Sequence, residues 1–305
     1  MNRHIRQTLF PLLAALICGT AFSAQSIAAE HMDALSFNFF RSVVAFLFLV
    51  GLDLVFSRLT PGRKNMFQLD RQARNHLLRG GLICGTALFL ASNLQQVGIA
   101  GTSAGKAGFL TTIYIVFVPL LGLLFQGKRS TLLLWGSVGL AVAGLYFLCV
   151  TEGFSVAPID LVLLLCALVY AIHILIIEHF STKVDGIQMS CLQFLVVAVF
   201  SGIGALLFEQ PTMDALTACL LPTLYVGVFS SGVGYTLQIL ALRGSNPTVV
   251  SLLLSTESVF ALVGGAVLLQ ERMSGRELFG CALMMVSVVL AQLPAASTSS
   301  VPSNN

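Results

Sequence analysis

The side chains able to bind a charged solute or pass on a proton are few in this chain, and nearly all stand isolated within long apolar runs. Glu257 follows SLLLST and precedes SVFALVGG, and Tyr114 lies between FLTTI and IVFVPLLG. A carboxyl in such a setting can hold a cation or an amine, or take up and release a proton, and a tyrosine offers a hydroxyl on an amphipathic wall. Lys106 could attract a carboxylate or phosphate, or extend its amine to an interface. Gln95, Gln238 and Asn93 supply neutral donors and acceptors, and His173 could relay a proton because imidazole titrates near neutrality. Glu257, Tyr114, Lys106, Gln95, Gln238, Asn93 and His173 form the expected substrate-binding set. Arg41, about two turns into its own apolar run, reads instead as a side chain that snorkels or pairs with backbone carbonyls, with a substrate role held in reserve. For each residue the plain alternative is an interhelical hydrogen bond that holds helices together.

The same inventory argues against catalysis and cofactors. There is no zinc-ligand spacing, nucleophile elbow or carboxylate cluster. Gly122, Gly127 and Lys128 mimic the start of a phosphate-binding loop, but Arg129 stands where Ser or Thr is needed and an apolar helix precedes it, so no nucleotide or other cofactor is expected. Seven cysteines fall within apolar runs without paired spacing and read as small buried residues rather than disulfides or metal ligands.

The elements that must position these residues are membrane helices. With 56% hydrophobic and 10% charged residues and a mean hydropathy of +0.91, too little polar surface exists to cover a water-facing globule. An all-α integral membrane fold of about ten helices is expected, since apolar stretches of spanning length run almost end to end and strand alternation is absent. They lie near Leu9 to Ala29, Leu35 to Phe56, Leu78 to Ala100, Ser103 to Phe125, Leu132 to Val150, Ile159 to Ile177, Met189 to Phe208, Leu216 to Leu242, Val249 to Leu269 and Leu278 to Leu293. The connection 57–79 carries Arg58, Arg63, Lys64, Arg71, Arg74 and Arg79 against Asp70, which makes it cytoplasmic and puts both termini on the same side of a cell (plasma or inner) membrane. The charge of +3 sits in a few connections, so no nucleic-acid partner is implied. The first thirty residues also resemble a secretory signal, basic NRHIR before an apolar run and SIAAE, but a counterpart later in the chain argues that the segment is kept.

That counterpart belongs to an internal repeat. A register of 143 residues places Gln95 on Gln238, Gly101 on Gly244, Phe117 on Phe260, Gly122 on Gly265, and Tyr114 on Glu257. Earlier, a register of 152 places Leu12 on Leu164, Ala15 on Ala167 and Asp33 on Asp185, the basic loop making the difference. Two five-helix repeats are expected, 1–151 and 155–295, followed by a disordered tail 296–305. An odd number of helices forces the second copy to enter the membrane from the opposite side, and two inverted copies around a shared site can expose it alternately to either side. On this basis Gln95 and Gln238 are expected toward opposite faces.

GKAGFLTTIYIVFVPLLGLLFQGKRS in the first half and NPTVVSLLLSTESVFALVGGAVLLQERMS in the second resemble the paired signatures of EamA-type members of the drug/metabolite transporter superfamily. The resemblance spans essentially the whole chain. It implies a ten-helix secondary transporter with cytoplasmic termini and a central cavity, moving small metabolites, often amino acids or related compounds, commonly outward. Its partners would be a small-molecule substrate, the lipid bilayer and, as coupling ion, protons. The other classes that a polytopic chain admits are an intramembrane enzyme or a channel. The second signature often reads Glu-Pro where this chain has Glu257-Ser258, so the proline that would secure a break in the ninth helix is missing there, whereas Pro119 can kink the fourth.

Overall fold

In the computed structural model, residues 5–102, 104–127, 131–149, 157–268 and 274–293 are described, and every regular element among them is helical. A short π-helical turn, Ile5–Leu9, leads into α1 (Phe10–Ala29), followed by α2 (Ala34–Leu59) and α3 (Arg71–Gly101). The fourth apolar run is two helices, α4 (Ala104–Thr112) and α5 (Tyr114–Gln126), and α6 (Leu132–Cys149) closes the first half. The second half has α7 (Pro158–Phe180), α8 (Gly186–Phe208), α9 (Met213–Ala218), α10 (Leu220–Tyr225), a π-helical stretch Val226–Gly234, α11 (Tyr235–Leu242), α12 (Pro247–Leu254), α13 (Glu257–Leu268) and α14 (Gly275–Gln292).

Among the described residues six helical segments are long and apolar enough to cross a membrane, and four shorter apolar ones, Leu110–Gln126, Leu132–Phe147, Pro247–Val263 and Leu278–Ala291, accompany them. Large apolar side chains point outward, with Phe208 at 82% and Phe125 at 80% exposure, a surface that only lipid can cover without cost. The protein is therefore a multi-pass membrane protein. At about 1.5 Å per residue, α3 is longer than the hydrocarbon thickness requires, and it begins at Arg71. Arg71, Arg74 and Arg79 consequently stand on its first turns rather than in a loop, which shortens the expected 57–79 connection to the stretch between Leu59 and Arg71.

The fourth and ninth apolar runs are both interrupted. Pro119 lies inside α5, and the interruption of the fourth run falls earlier, at Ile113. The ninth run breaks at Ser255 and Thr256 although no proline follows Glu257. The residues at both breaks carry hydroxyls that turn back onto carbonyls: Thr112 Oγ1 donates to Gly108 O (2.6 Å), Ser255 Oγ to Leu252 O (2.7 Å) and Thr256 Oγ1 to Leu253 O (2.7 Å). Such local bonds bend and loosen a helix without proline.

The helices form a bundle in which α2 runs along α8, α6 along α14, α3 between α7 and α8, and α1 beside α13, the π stretch and α11. The α2–α8 seam is tied at both ends. At one, Glu209 accepts from the Leu35 N–H (3.0 Å), the Ser36 N–H (2.7 Å) and Ser36 Oγ (2.6 Å), satisfying the free donors of the α2 start. At the other, buried Asp53 accepts from Arg63 Nη2 (3.1 Å), the Met66 N–H (2.8 Å) and Gln188 Nε2 (3.3 Å), while Arg63 also donates to Asp185 (3.0 Å). The basic connection is thus pinned beneath the seam instead of hanging free.

Removing Asp53 leaves Arg63 and the Gln188 amide short of an acceptor. Asp53→Ala is expected to destabilise the protein by about 3 kcal/mol and to lower the unfolding temperature of the detergent-purified protein, with the exposed Asp214→Ala unchanged within error; equal behaviour of the two variants would dismiss the clasp.

Candidate functional site

The two breaks place Tyr114 and Glu257 at the first positions of α5 and α13, and both side chains face one cavity of about 50 Å³. A space of that size admits roughly four waters or a solute of comparable size. From the first half it is lined by Cys18, Phe22 and Gln25 of α1, Arg41 of α2, Gln95 of α3 and Tyr114. From the second half come Tyr170 and Ile174 of α7, Ser230 of the π stretch, Tyr235 and Gln238 of α11, and Glu257.

The wall is a hydrogen-bonded polar surface within apolar packing. Tyr114 and Glu257 lie within hydrogen-bonding reach of each other. Tyr170 Oη donates to Gln95 Oε1 (3.0 Å) and shares a hydrogen bond with Tyr235 Oη (3.2 Å), and Cys18 Sγ contacts Ser230 Oγ (3.6 Å). The π stretch brings Ser230 there, since the Tyr235 N–H bonds back to Ser230 O, five residues earlier, and the wider turn rotates this side chain relative to an α-helical course. Arg41, 3% exposed, donates through Nη1 to Gln25 Oε1 (3.2 Å) and stands over the Phe37 ring (5.7 Å), while its Nε has no protein partner. Arg41 and Glu257 line the same space, together with Cys18 and Tyr235.

Four of the residues expected from sequence, Glu257, Tyr114, Gln95 and Gln238, meet at this cavity. Gln95 of α3 and Gln238 of α11 line the same cavity. Asn93 turns elsewhere: its Nδ2 donates to Phe89 O (2.8 Å) and Ser201 Oγ (3.3 Å), and its Oδ1 accepts from Asn38 (2.9 Å), which joins α3 to α2 and α8. His173 is fully buried behind Tyr170 and Tyr235, sharing a hydrogen bond with Gln193 (3.2 Å). Lys106 belongs to α4, but its side chain lies outside the described residues.

Sequence reasoning passed over Gln25, Ser230, Tyr170 and Tyr235, and set Arg41 aside. A signal was present for the tyrosines, since three of the chain's five line the cavity and each interrupts an apolar run with a hydroxyl that hydrocarbon cannot satisfy. For Gln25 and Arg41 the partner of each is the other, across two helices, and no spacing along the chain displays that.

Comparison with known proteins agrees with this architecture. The model of the EamA-like transporter family matches twice, over residues 7–150 and 157–293. An uncharacterized transporter from Archaeoglobus fulgidus is 28% identical over 285 residues, covering 92% of this chain and 84% of the relative. A solved structure described only as the crystal structure of a protein superposes with a TM-score of 0.77 over 94% of this chain and 96% of its own, at 16% identity, which shows a shared fold.

The cavity also depends on a close helix contact. At Gly19 an added Cβ would lie 2.4 Å from the Glu257 carbonyl oxygen and 3.0 Å from the Ala261 nitrogen, so α1 meets α13 backbone to backbone. Gly19→Val is expected to cost about 1–3 kcal/mol through overpacking, seen as a lower unfolding temperature, whereas Gly51→Ala, with nothing within 4 Å of its Cβ, should be neutral.

Proposed function

Because the chain belongs to the EamA-like transporter family, we propose that it is a secondary transporter that carries small, amino-acid-like metabolites across the plasma (inner) membrane, predominantly outward, by alternating access. That the protein is a membrane transporter follows from the family; the substrate class, the direction and the mechanism are the further reading.

The observation that carries it is the composition of the cavity wall. In the registers of 152 and 143 residues, lining positions fall into equivalent pairs: Cys18 with Tyr170, Phe22 with Ile174, Gln95 with Gln238, Thr111 with Leu254, and Tyr114 with Glu257. Paired positions around one space are what a two-fold axis in the membrane plane would generate, and separate family matches to each half support the same reading. The six long and four shorter apolar segments then count as ten spans in two inverted five-helix repeats, the fourth and ninth spans each broken next to the site. An even number of spans puts both termini on the side of the basic connection, the cytoplasm.

Glu257, with Tyr114 against it and Gln95 and Gln238 on the wall, provides the substrate contacts, and the Glu257 carboxyl is the group able to carry a coupling proton between sides. Asn93 and His173 act through helix packing in this scheme.

The test is reconstitution. Metabolites that differ between cells lacking and overproducing the protein identify the solute, and its flux into proteoliposomes should saturate and respond to an imposed proton gradient. Glu257→Gln is expected to reduce that flux at least tenfold and remove its dependence on the gradient; flux with unaltered pH dependence in this variant takes Glu257 out of the mechanism.

A further inference from the structure

Arg41 is the feature of the cavity that the transport reading does not use. It is a guanidinium in the interior of a membrane bundle, 3% exposed, and among the described residues it donates to Gln25 Oε1 while its Nε finds no partner. Among the described residues the ion pairs are those of Arg63 with Asp53 and Asp185, so neither Arg41 nor Glu257 is neutralised by a protein partner. A cation left uncompensated in such a place is costly, and a site that retains one is completed by an anion.

We propose that Arg41 is the specificity-determining residue of the cavity: it takes the carboxylate of the substrate while Glu257 and Tyr114 take a basic nitrogen, so that solutes bearing both groups are selected over those bearing one. Three features support this. Gln25 is held by its Nε2 bonding back to Ala21 O (3.4 Å), which presents its carbonyl oxygen to Arg41, and Arg41 itself lines the cavity. The planar fork matches a carboxylate through two parallel hydrogen bonds, which an ammonium in its place would not do. Arg41 and Glu257 both line the one cavity, so a single small solute within it is offered a guanidinium and a carboxyl.

The proposal deepens the transport reading but concerns binding, so it can be tested without flux. The purified protein in lipid nanodiscs is titrated with the twenty proteinogenic amino acids, and for each binder with its methyl ester, lacking the carboxylate, and its N-acetyl form, lacking the basic nitrogen. Thermal stabilisation should appear with at least one zwitterion and be at least tenfold weaker with both of its derivatives. Arg41→Gln should reduce the preference for the zwitterion over its ester at least tenfold, and Glu257→Gln should do the same for the N-acetyl form. If Arg41→Gln does not fold, Arg41→Lys, which keeps the charge and loses the fork, should still weaken the zwitterion selectively. Equal binding of zwitterion and ester by the unaltered protein, or no zwitterion binding at all, overturns the proposal. Selective binding without flux in proteoliposomes sinks the transport reading and leaves the role of Arg41 standing; saturable flux of an uncharged solute does the reverse.

Discussion

Hydrocarbon supplies no hydrogen-bond partner for a peptide group, so the places at which a spanning helix can be interrupted are severely restricted. In this protein both interruptions lie inside the bundle beside a polar cavity, and the residues around them contribute the missing partners. Thr112 and Ser258 share a hydrogen bond (3.1 Å) from one broken run to the other, so the two interruptions support each other. Tyr114 and Glu257 each begin the segment after a break, and side chains from two distant parts of the sequence meet at one cavity. Glu257 also stands in the first turn of α13, where the helix dipole favours negative charge.

The pairing of positions around the cavity makes its departures informative. Some paired positions carry like residues, as with Gln95 and Gln238, while others differ in size, as with Cys18 and Tyr170. Both charges break the pattern. Glu257 stands opposite Tyr114, and the register of 152 puts Gln193 at the position equivalent to Arg41, a residue that instead bonds His173 in the core. Under the proposed reading of two inverted repeats carrying a small metabolite with unlike ends, recognition falls to the residues that the registers do not repeat.

Much of this could be read from the chain itself because membrane helices announce their length and their exceptions. Glu257, Tyr114, Gln95 and Gln238 stood out as polar residues in apolar runs, and the repeat register placed them in relation to one another. The break before Glu257 was not legible, because the signature proline is absent and the work is done by Ser255 and Thr256, whose hydroxyls serve equally well for helix packing elsewhere in the chain. Arg41 was misjudged for a related reason: an arginine two turns into a span can usually reach the interface, and only packing against Phe37 and Gln25 turns it inward. Asn93 carried the same polar signal as Gln95 but faces α2 and α8, a difference set by helix rotation and not by residue type.

The distribution of strong contacts also bears on which parts of the bundle can move. The α2–α8 seam is fastened by carboxylates at both ends, Glu209 on the α2 start and Asp53 with Asp185 around Arg63, and these tie the two halves together along their common line. Around the cavity the contacts are of another kind: close backbone approach of α1 to α13 at Gly19, hydroxyl bonds between Tyr170 and Tyr235, and a thiol against Ser230. Contacts without charge and with small side chains can slide or exchange partners at lower cost than ion pairs can separate. Under the transport reading proposed above, the carboxylate fastening of α2 to α8 makes that seam the part of the bundle least able to separate.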